Sequence, residues 1–213
     1  MTSGRQGDRG QAFPIYIVVI AGLLFAALAF FVVGRAAITR SDAQGAADAA
    51  ALAAGREARD AVLLDIDLAA LKPADWERIV DGKRFGGGLP CAAADTFAAK
   101  NDSKVTQCGS APPRFTVSVE TNAAVGDSVI PGTGAQHGTA TATALVQAKC
   151  FLSATSTPSP TPTVPDEGSS PAPTPSPSTV EFTCGGELVK LDPLKPGSLS
   201  ALTRRLFSVR LVG

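Results

Sequence analysis

The chain has 213 residues, 45% of them hydrophobic, with 19 basic and 19 acidic residues, which allows one domain with appendages. Zero net charge gives no electrostatic footprint for a nucleic-acid partner, which would want a basic patch or stripe. Much of the apolar content is alanine, beside ten Phe, one Trp and one Tyr, so the expected core is small and not enzyme-sized.

Residues 1–12 read as a short polar cytoplasmic tail. From Ile15 to Gly34 there is no charged residue. About twenty helical residues at roughly 1.5 Å rise cover about 30 Å, the thickness of a bilayer's hydrocarbon core. A secretory apolar segment is shorter, about 7–15 residues, and ends at a small-residue cleavage site. Here Ala27 and Ala29 lie inside the run, with Phe30, Phe31, Val32 and Val33 still to follow. The stretch 13–34 is therefore read as an uncleaved transmembrane helix. Phe13, Pro14 and Tyr16 stand where an interfacial ring and a helix-starting proline belong. Arg5 and Arg9 precede the span and Arg35 and Arg40 follow it, so counting basic residues alone leaves orientation nearly tied. Four cysteines and a Ser/Thr/Pro stretch downstream break the tie. They suit a single-pass protein of the cytoplasmic membrane with its amino terminus inside and everything after Arg35 outside.

The next segment, 35–72, reads as an alanine-rich helical extension. With about 100° between residues, Ala43, Ala47, Ala50, Ala54, Ala58 and Ala61 share one face, and Asp42, Asp48, Arg56, Arg59 and Asp60 fall largely on the other. Arg40 sits near the small face. The same rotation runs back through Gly22, Ala26 and Ala29. Small residues let helix backbones approach closely, which makes Gly22, Ala26, Ala29, Ala43, Ala47, Ala50 and Ala54 a candidate helix-packing seam. The competing explanation is alanine's helix propensity alone.

Bulkier residues follow. Leu63, Leu64, Leu68, Leu71, Trp76 and Ile79 can begin the exported core. Pro73 interrupts the helix, and residues 74–78 can restart it. "GGG" at 86–88 marks a loop, and "CAAADTFAAK" reads as a short helix ending at Asn101 and Asp102. The period then becomes two. Phe115, Val117 and Val119 of "RFTVSVET" alternate with polar residues, as in a half-buried strand. "SVIPGTGAQHG" is a turn-rich connector. "TATATALVQAKCFL" predicts a strand over 139–151, with threonine on one face and alanine on the other, hence shallow packing. These elements make a small extracytoplasmic α+β domain over 73–152. Residues 153–179 are nearly all Ser, Thr and Pro and predict a disordered stalk or insertion. "VEFTCGGELVKL" and "RLFSVRLV" supply a strand element over 180–213. The fold class is therefore α+β: a long amino-terminal transmembrane helix continuing into a small exported domain of short helices and antiparallel strands, with a Pro/Ser/Thr-rich disordered segment.

Cys91, Cys108, Cys150 and Cys184 form no CxxC pair, and the single histidine is His137. A zinc site is disfavoured, and disulfides suit the oxidising side. Of three possible connectivities, Cys91–Cys108 with Cys150–Cys184 is preferred, because each bridge closes a local loop. His137 lies in a glycine-flanked turn without a distinguished partner. Ser128 is not in a G-x-S-x-G elbow. Asp65 and Asp67, two apart, do not face each other on a helix. The triple glycine lacks the phosphate-loop frame, and "NDS" at 101–103 is a bare glycosylation sequon. The sequence offers no catalytic residue, cofactor site, metal site or small-molecule substrate.

Two stretches, "DRGQAFPIYI" and "ITRSDAQGAADAAALAAG", together resemble the amino-terminal region of TadE/TadG-like proteins, pilin-like membrane proteins of tight-adherence (Flp-type) pilus systems. The TadG-like branch is the nearer one, and the resemblance covers residues 8–55. It implies a hydrophobic amino-terminal helix, a small extracytoplasmic domain and a non-enzymatic role in assembling a surface appendage or its secretion machinery. Implied partners are membrane lipid and other pilin-like or pilus-assembly membrane proteins. Pilin-like members often carry a glycine followed, at the fifth position after the cut, by glutamate. If Gly10 is that glycine, the fifth residue is Ile15, which argues against prepilin cleavage and for a permanently anchored accessory protein. A competing reading is a cell-surface adhesin on a glycosylated stalk, for which one Trp and one Tyr offer little aromatic platform. A secreted hydrolase lacks a motif.

Overall fold

The computed structural model describes residues 12–85, 88–124, 135–155 and 179–213. The amino-terminal segment up to residue 11, expected as a cytoplasmic tail, two of the three loop glycines, most of the turn-rich connector and most of the Ser/Thr/Pro stretch lie outside the described residues. The first element, α1, is one helix of 50 residues, Ala12–Ala61, about 75 Å long by its rise. No proline interrupts it. It ends before Asp65, whose φ of 58° places it in the left-handed region and turns the chain. A short 3₁₀ turn, Leu68–Ala70, follows, with the Asp67 carboxylate accepting from the Ala69 N–H at 2.9 Å. Helix α2, Pro73–Val80, starts at the proline that stopped the earlier pattern, where a missing N–H is harmless. Helix α3 spans Pro90–Ala99.

Seven strands follow: β1 Ser103–Ala111, β2 Arg114–Ala124, β3 His137–Ala148, β4 Cys150–Thr155, β5 Val180–Cys184, β6 Glu187–Leu191 and β7 Phe207–Val212, with helix α4, Leu199–Leu206, between the last two. They form two antiparallel sheets, β1-β2-β3-β7 and β4-β5-β6. This is the α+β arrangement that the sequence predicts, with the long apolar helix first.

The carboxy-terminal half of α1 lies on one face of the four-stranded sheet. Side chains on a strand alternate between faces. Along β3 the inward set is Gly138, Ala140, Ala142, Ala144 and Val146, of which the last three are buried. Beside it, β2 turns Phe115, Val117 and Val119 inward. The outward hydroxyls pair across the strands, Thr116 with Thr143 at 2.9 Å and Ser118 with Thr141 at 2.8 Å. Two glycines show how close helix and sheet come. A Cβ on Gly55 would sit 2.8 Å from Val209 Cγ1 and 3.4 Å from Ala144 Cβ. A Cβ on Gly138 would sit 2.6 Å from the Thr39 carbonyl oxygen and 3.2 Å from Ala43 Cβ. Gly138 thus meets Thr39 while Ala144 meets Gly55. Strand and helix run side by side in the same direction, over about 24 Å of helix rise. Helix α3 returns alongside α1 in the opposite sense, with Gly88 at Ala61 and Glu57 on one end and Lys100 near Ala46 on the other.

The strand expected over 139–151 is two strands in two sheets. Lys149 is the corner between them. Its N–H donates to the Leu206 carbonyl at 2.8 Å and its ammonium to the Arg204 carbonyl at 2.6 Å, which ties the corner to the end of α4. The second sheet packs on α2, with Trp76 edge-on to Phe182 at 5.6 Å, and Phe85 meets Phe207 at 5.0 Å. Strand β7 then pairs with β3, from Ala148 opposite Phe207 to Thr143 opposite Val212. Both sheets share one core. Strand β1 and helix α4 were not foreseen. The first is an edge strand with little apolar content; the second is only eight residues long.

Two outcomes follow from this packing. Ala50 is fully buried, so Ala50→Leu overpacks the contact and lowers stability by about 1–3 kcal/mol. Gly45 is exposed and open around its Cβ position, so Gly45→Ala raises stability by roughly 0.5–1 kcal/mol. Opposite shifts in thermal midpoint check both. A third outcome concerns pH. The Lys72 N–H donates to Asp75 Oδ2 at 3.0 Å and Arg78 pairs with the other oxygen, which holds the Asp75 carboxyl below the usual carboxylate range. A depressed folded pKa contributes stability above the unfolded value, about 3.9, and loses it as pH falls through the folded one. Asp75→Asn therefore costs stability near neutrality, and its difference from the native chain closes on acidification, read by the fluorescence of Trp76 in denaturant titrations at several pH values.

Candidate functional site

Among the described residues there is no cluster of His, Cys, Asp and Glu able to hold a metal ion. His137 is engaged locally: its Nδ1 lies 2.7 Å from the Thr121 carbonyl, where β2 ends and β3 begins. Asp67 caps the 3₁₀ turn and Asp65 is exposed in the left-handed turn before it. Asn101 of the sequon donates to the Phe97 carbonyl at the end of α3. Ser128 lies outside the described residues. An open cleft of about 530 Å³ beside Thr39, Asp42, Lys100 and Asn101 is lined by mixed polar groups and encloses nothing. The candidate functional surface is the helix α1.

Its amino-terminal half is bare. From Phe13 to Val33 none of the apolar side chains is buried, and Phe30 is 81% exposed. Length and hydropathy suffice to cross a membrane. Lipid is the solvent that makes such a surface stable. The carboxy-terminal half is sheathed by the domain. The seam residues divide at this boundary. Gly22, Ala26 and Ala29 are exposed, and a Cβ on Gly22 would meet nothing within 4 Å. Ala43, Ala47, Ala50 and Ala54 are fully buried, and their neighbours are β2, β3 and α3 of the same chain. The occupant of that half is the domain itself.

The buried face is wider than the seam. Ala46, Ala51, Ala53, Gly55 and Ala58 belong to it as well. Matching small residues at alternate positions of "GTATATA" were the signal that the strand is what covers them. The acidic and basic face is not wholly solvated either. Arg59 pairs with Asp60 at 2.8 Å, and Asp60 accepts from the buried Thr203 hydroxyl at 3.2 Å, which fastens the end of α1 to α4.

The cysteines pair Cys91 with Cys108 and Cys150 with Cys184. The first bridge joins the start of α3 to β1. The second joins register partners of β4 and β5. At the other end of the same ladder Thr155 stands opposite Val180. The Ser/Thr/Pro stretch therefore leaves and re-enters the fold at adjacent strand ends, as an insertion within a hairpin and not as a linker to a separate element.

Residues 10–59 match the family described as Flp pilus-assembly TadE/G-like. The match covers the bare half of α1 and nearly all of the sheathed half, about a quarter of the chain, and makes this segment TadE/G-like. It associates the chain with Flp pilus assembly and, with the apolar helix, fits a membrane-anchored protein. No curated protein and no solved structure matches the chain.

The hairpin insertion has a covalent consequence. With a specific protease site placed between Thr155 and Val180, the nicked protein should migrate as one species without reductant and as two fragments with it. Its denaturation midpoint should stay close to that of the uncut chain, because the Cys150–Cys184 bridge and the β3–β7 pairing hold both pieces. Separation of the fragments without reductant would refute the hairpin closure.

Proposed function

We propose that the protein is a non-enzymatic, membrane-anchored, pilin-like accessory protein in the assembly of a Flp/Tad-type surface appendage or its secretion machinery. One observation carries the reading: a single unbroken helix is bare and apolar over its first half and locked into the protein's own domain over its second. The family match falls on that same stretch. Two disulfides support an extracytoplasmic domain, and hence an amino terminus inside the cell. The anchor is uncleaved in this reading, because Ile15 stands where prepilin processing prefers glutamate. Partners are membrane lipid and other pilin-like or pilus-assembly membrane proteins, reached through Gly22, Ala26 and Ala29. An adhesin's aromatic platform has little support: Trp76 is buried against Phe182, and Tyr16 belongs to the apolar span.

The test is a pull-down from native membranes through a tag on the amino terminus, with crosslinking. Pilus-assembly membrane proteins should be recovered. Gly22→Leu with Ala26→Leu should lower that crosslinking several-fold while disulfides and membrane insertion stay normal. Ala47→Leu with Ala50→Leu should act on domain stability instead. Undiminished crosslinking in the first variant would sink the membrane half of the seam as a contact surface.

A further inference from the structure

The distance between bilayer and domain is set by the helix, and it is short. The last residue of the uncharged run is Gly34, and the domain already grips the helix at Thr39, where the Gly138 backbone comes so close that a Cβ would clash with the Thr39 carbonyl. Five residues at about 1.5 Å each place that contact roughly 7–8 Å beyond the hydrocarbon. The headgroup layer on each side of a bilayer is itself about 5–8 Å deep. The helix is continuous across the gap, so there is no hinge to lengthen it.

Which part of the domain faces the bilayer follows from strand direction. Strand β3 starts at Thr39 and runs away from the membrane with α1, so its first residues, His137 and Gly138, are its lowest. Strand β2 is antiparallel to it and ends beside it, with Ala124 opposite His137. The Thr121 hydroxyl accepts from the Gly138 N–H at 2.9 Å and the His137 ring meets the Thr121 carbonyl, which makes this hairpin end stiff. A second observation lies in the gap itself. Ile38 is 59% exposed and is flanked by the exposed Arg35 and Arg40. On a stub standing free in water Ile38 would be an uncovered apolar side chain. At the level of glycerol and phosphate it is covered, and the two guanidiniums meet anionic oxygens.

We propose that the end of the β2–β3 hairpin, Asn122–Ala124 with His137–Gly138, rests on the phospholipid headgroup layer, with Arg35 and Arg40 on lipid phosphates and Ile38 sunk between them. The domain then stands at fixed height and fixed rotation on the bilayer. The inference rests on the anchored reading of α1 and goes beyond it, because an anchor alone leaves the domain's attitude free.

The test uses the full chain in phosphatidylcholine–phosphatidylglycerol vesicles. All four cysteines are in disulfides, so a single added thiol takes a fluorophore selectively. Asn122→Cys reports the hairpin end. Leu89→Cys is the control, 72% exposed and next to Gly88, which packs at Glu57, about 35 Å above Gly34 by helix rise. A quencher carried on lipid headgroups should quench the label at 122 several-fold more than at 89. Inserting a flexible Gly/Ser linker after Arg35 should abolish the difference. Vesicle flotation with equal quenching at both sites overturns the contact and leaves the anchor standing. A difference that survives the linker overturns the fixed height. Failure to float overturns the anchor and the contact together.

Discussion

The contact between α1 and β3 is the constraint on which the rest depends. Both surfaces are made of glycine and alanine, so the backbones lie unusually near each other and a single added methyl at Gly55 or Gly138 has no free space. Close approach substitutes shape for bulk. Alanines bury little apolar area each, and dispersion between well-fitted neighbours must supply what area does not. The larger side chains, Trp76, Phe85, Phe182 and Phe207, are gathered where α2, the second sheet and β7 meet. The domain thus has a thin, tight half against the helix and a bulky half away from it, inside one continuous core.

Such a core benefits from covalent help. The bridges span separations of 17 and 34 residues, and in the chain-entropy account each contributes roughly 3–4 kcal/mol by restricting the unfolded chain. They sit away from the α1–β3 contact, on α3–β1 and β4–β5. Each fastens an element that the alanine face cannot hold by itself: an edge strand, and a hairpin interrupted by a long insertion.

The helix was legible in the sequence because its two signals are local. An uncharged run has a length, and a stripe of small residues has a period. The alternation of "RFTVSVET" and "TATATA" likewise announced two strands and their inward faces. What covers the stripe was harder to read, because the covering strand lies about ninety residues or more away and its alternate small residues do not say which helix face they meet. Hence Ala43 to Ala54 pointed to a helix-packing seam or to alanine's helix propensity alone, and the chain's own sheet is what covers them. Lys149 was invisible as a corner, since the alternation of apolar and polar residues continues across it from Val146 to Cys150. Strand β1 escaped because its buried content is one serine with a half-buried Val105 and Cys108. On an active site the sequence offered only an absence of motifs, and in the fold His137 is bonded to the Thr121 carbonyl.

The position of β7 bears on when the domain can exist. Its partner β3 lies about sixty residues earlier, from Ala148 opposite Phe207 onward. Everything from Cys150 to Leu206, with the second sheet and α4, must be synthesised before the fourth strand can close the sheet. Until then β3 carries an open edge, which invites pairing with another chain. The helix is synthesised early and the sheet is completed late, so a newly made molecule passes through an interval in which it is helical and still sticky along one strand.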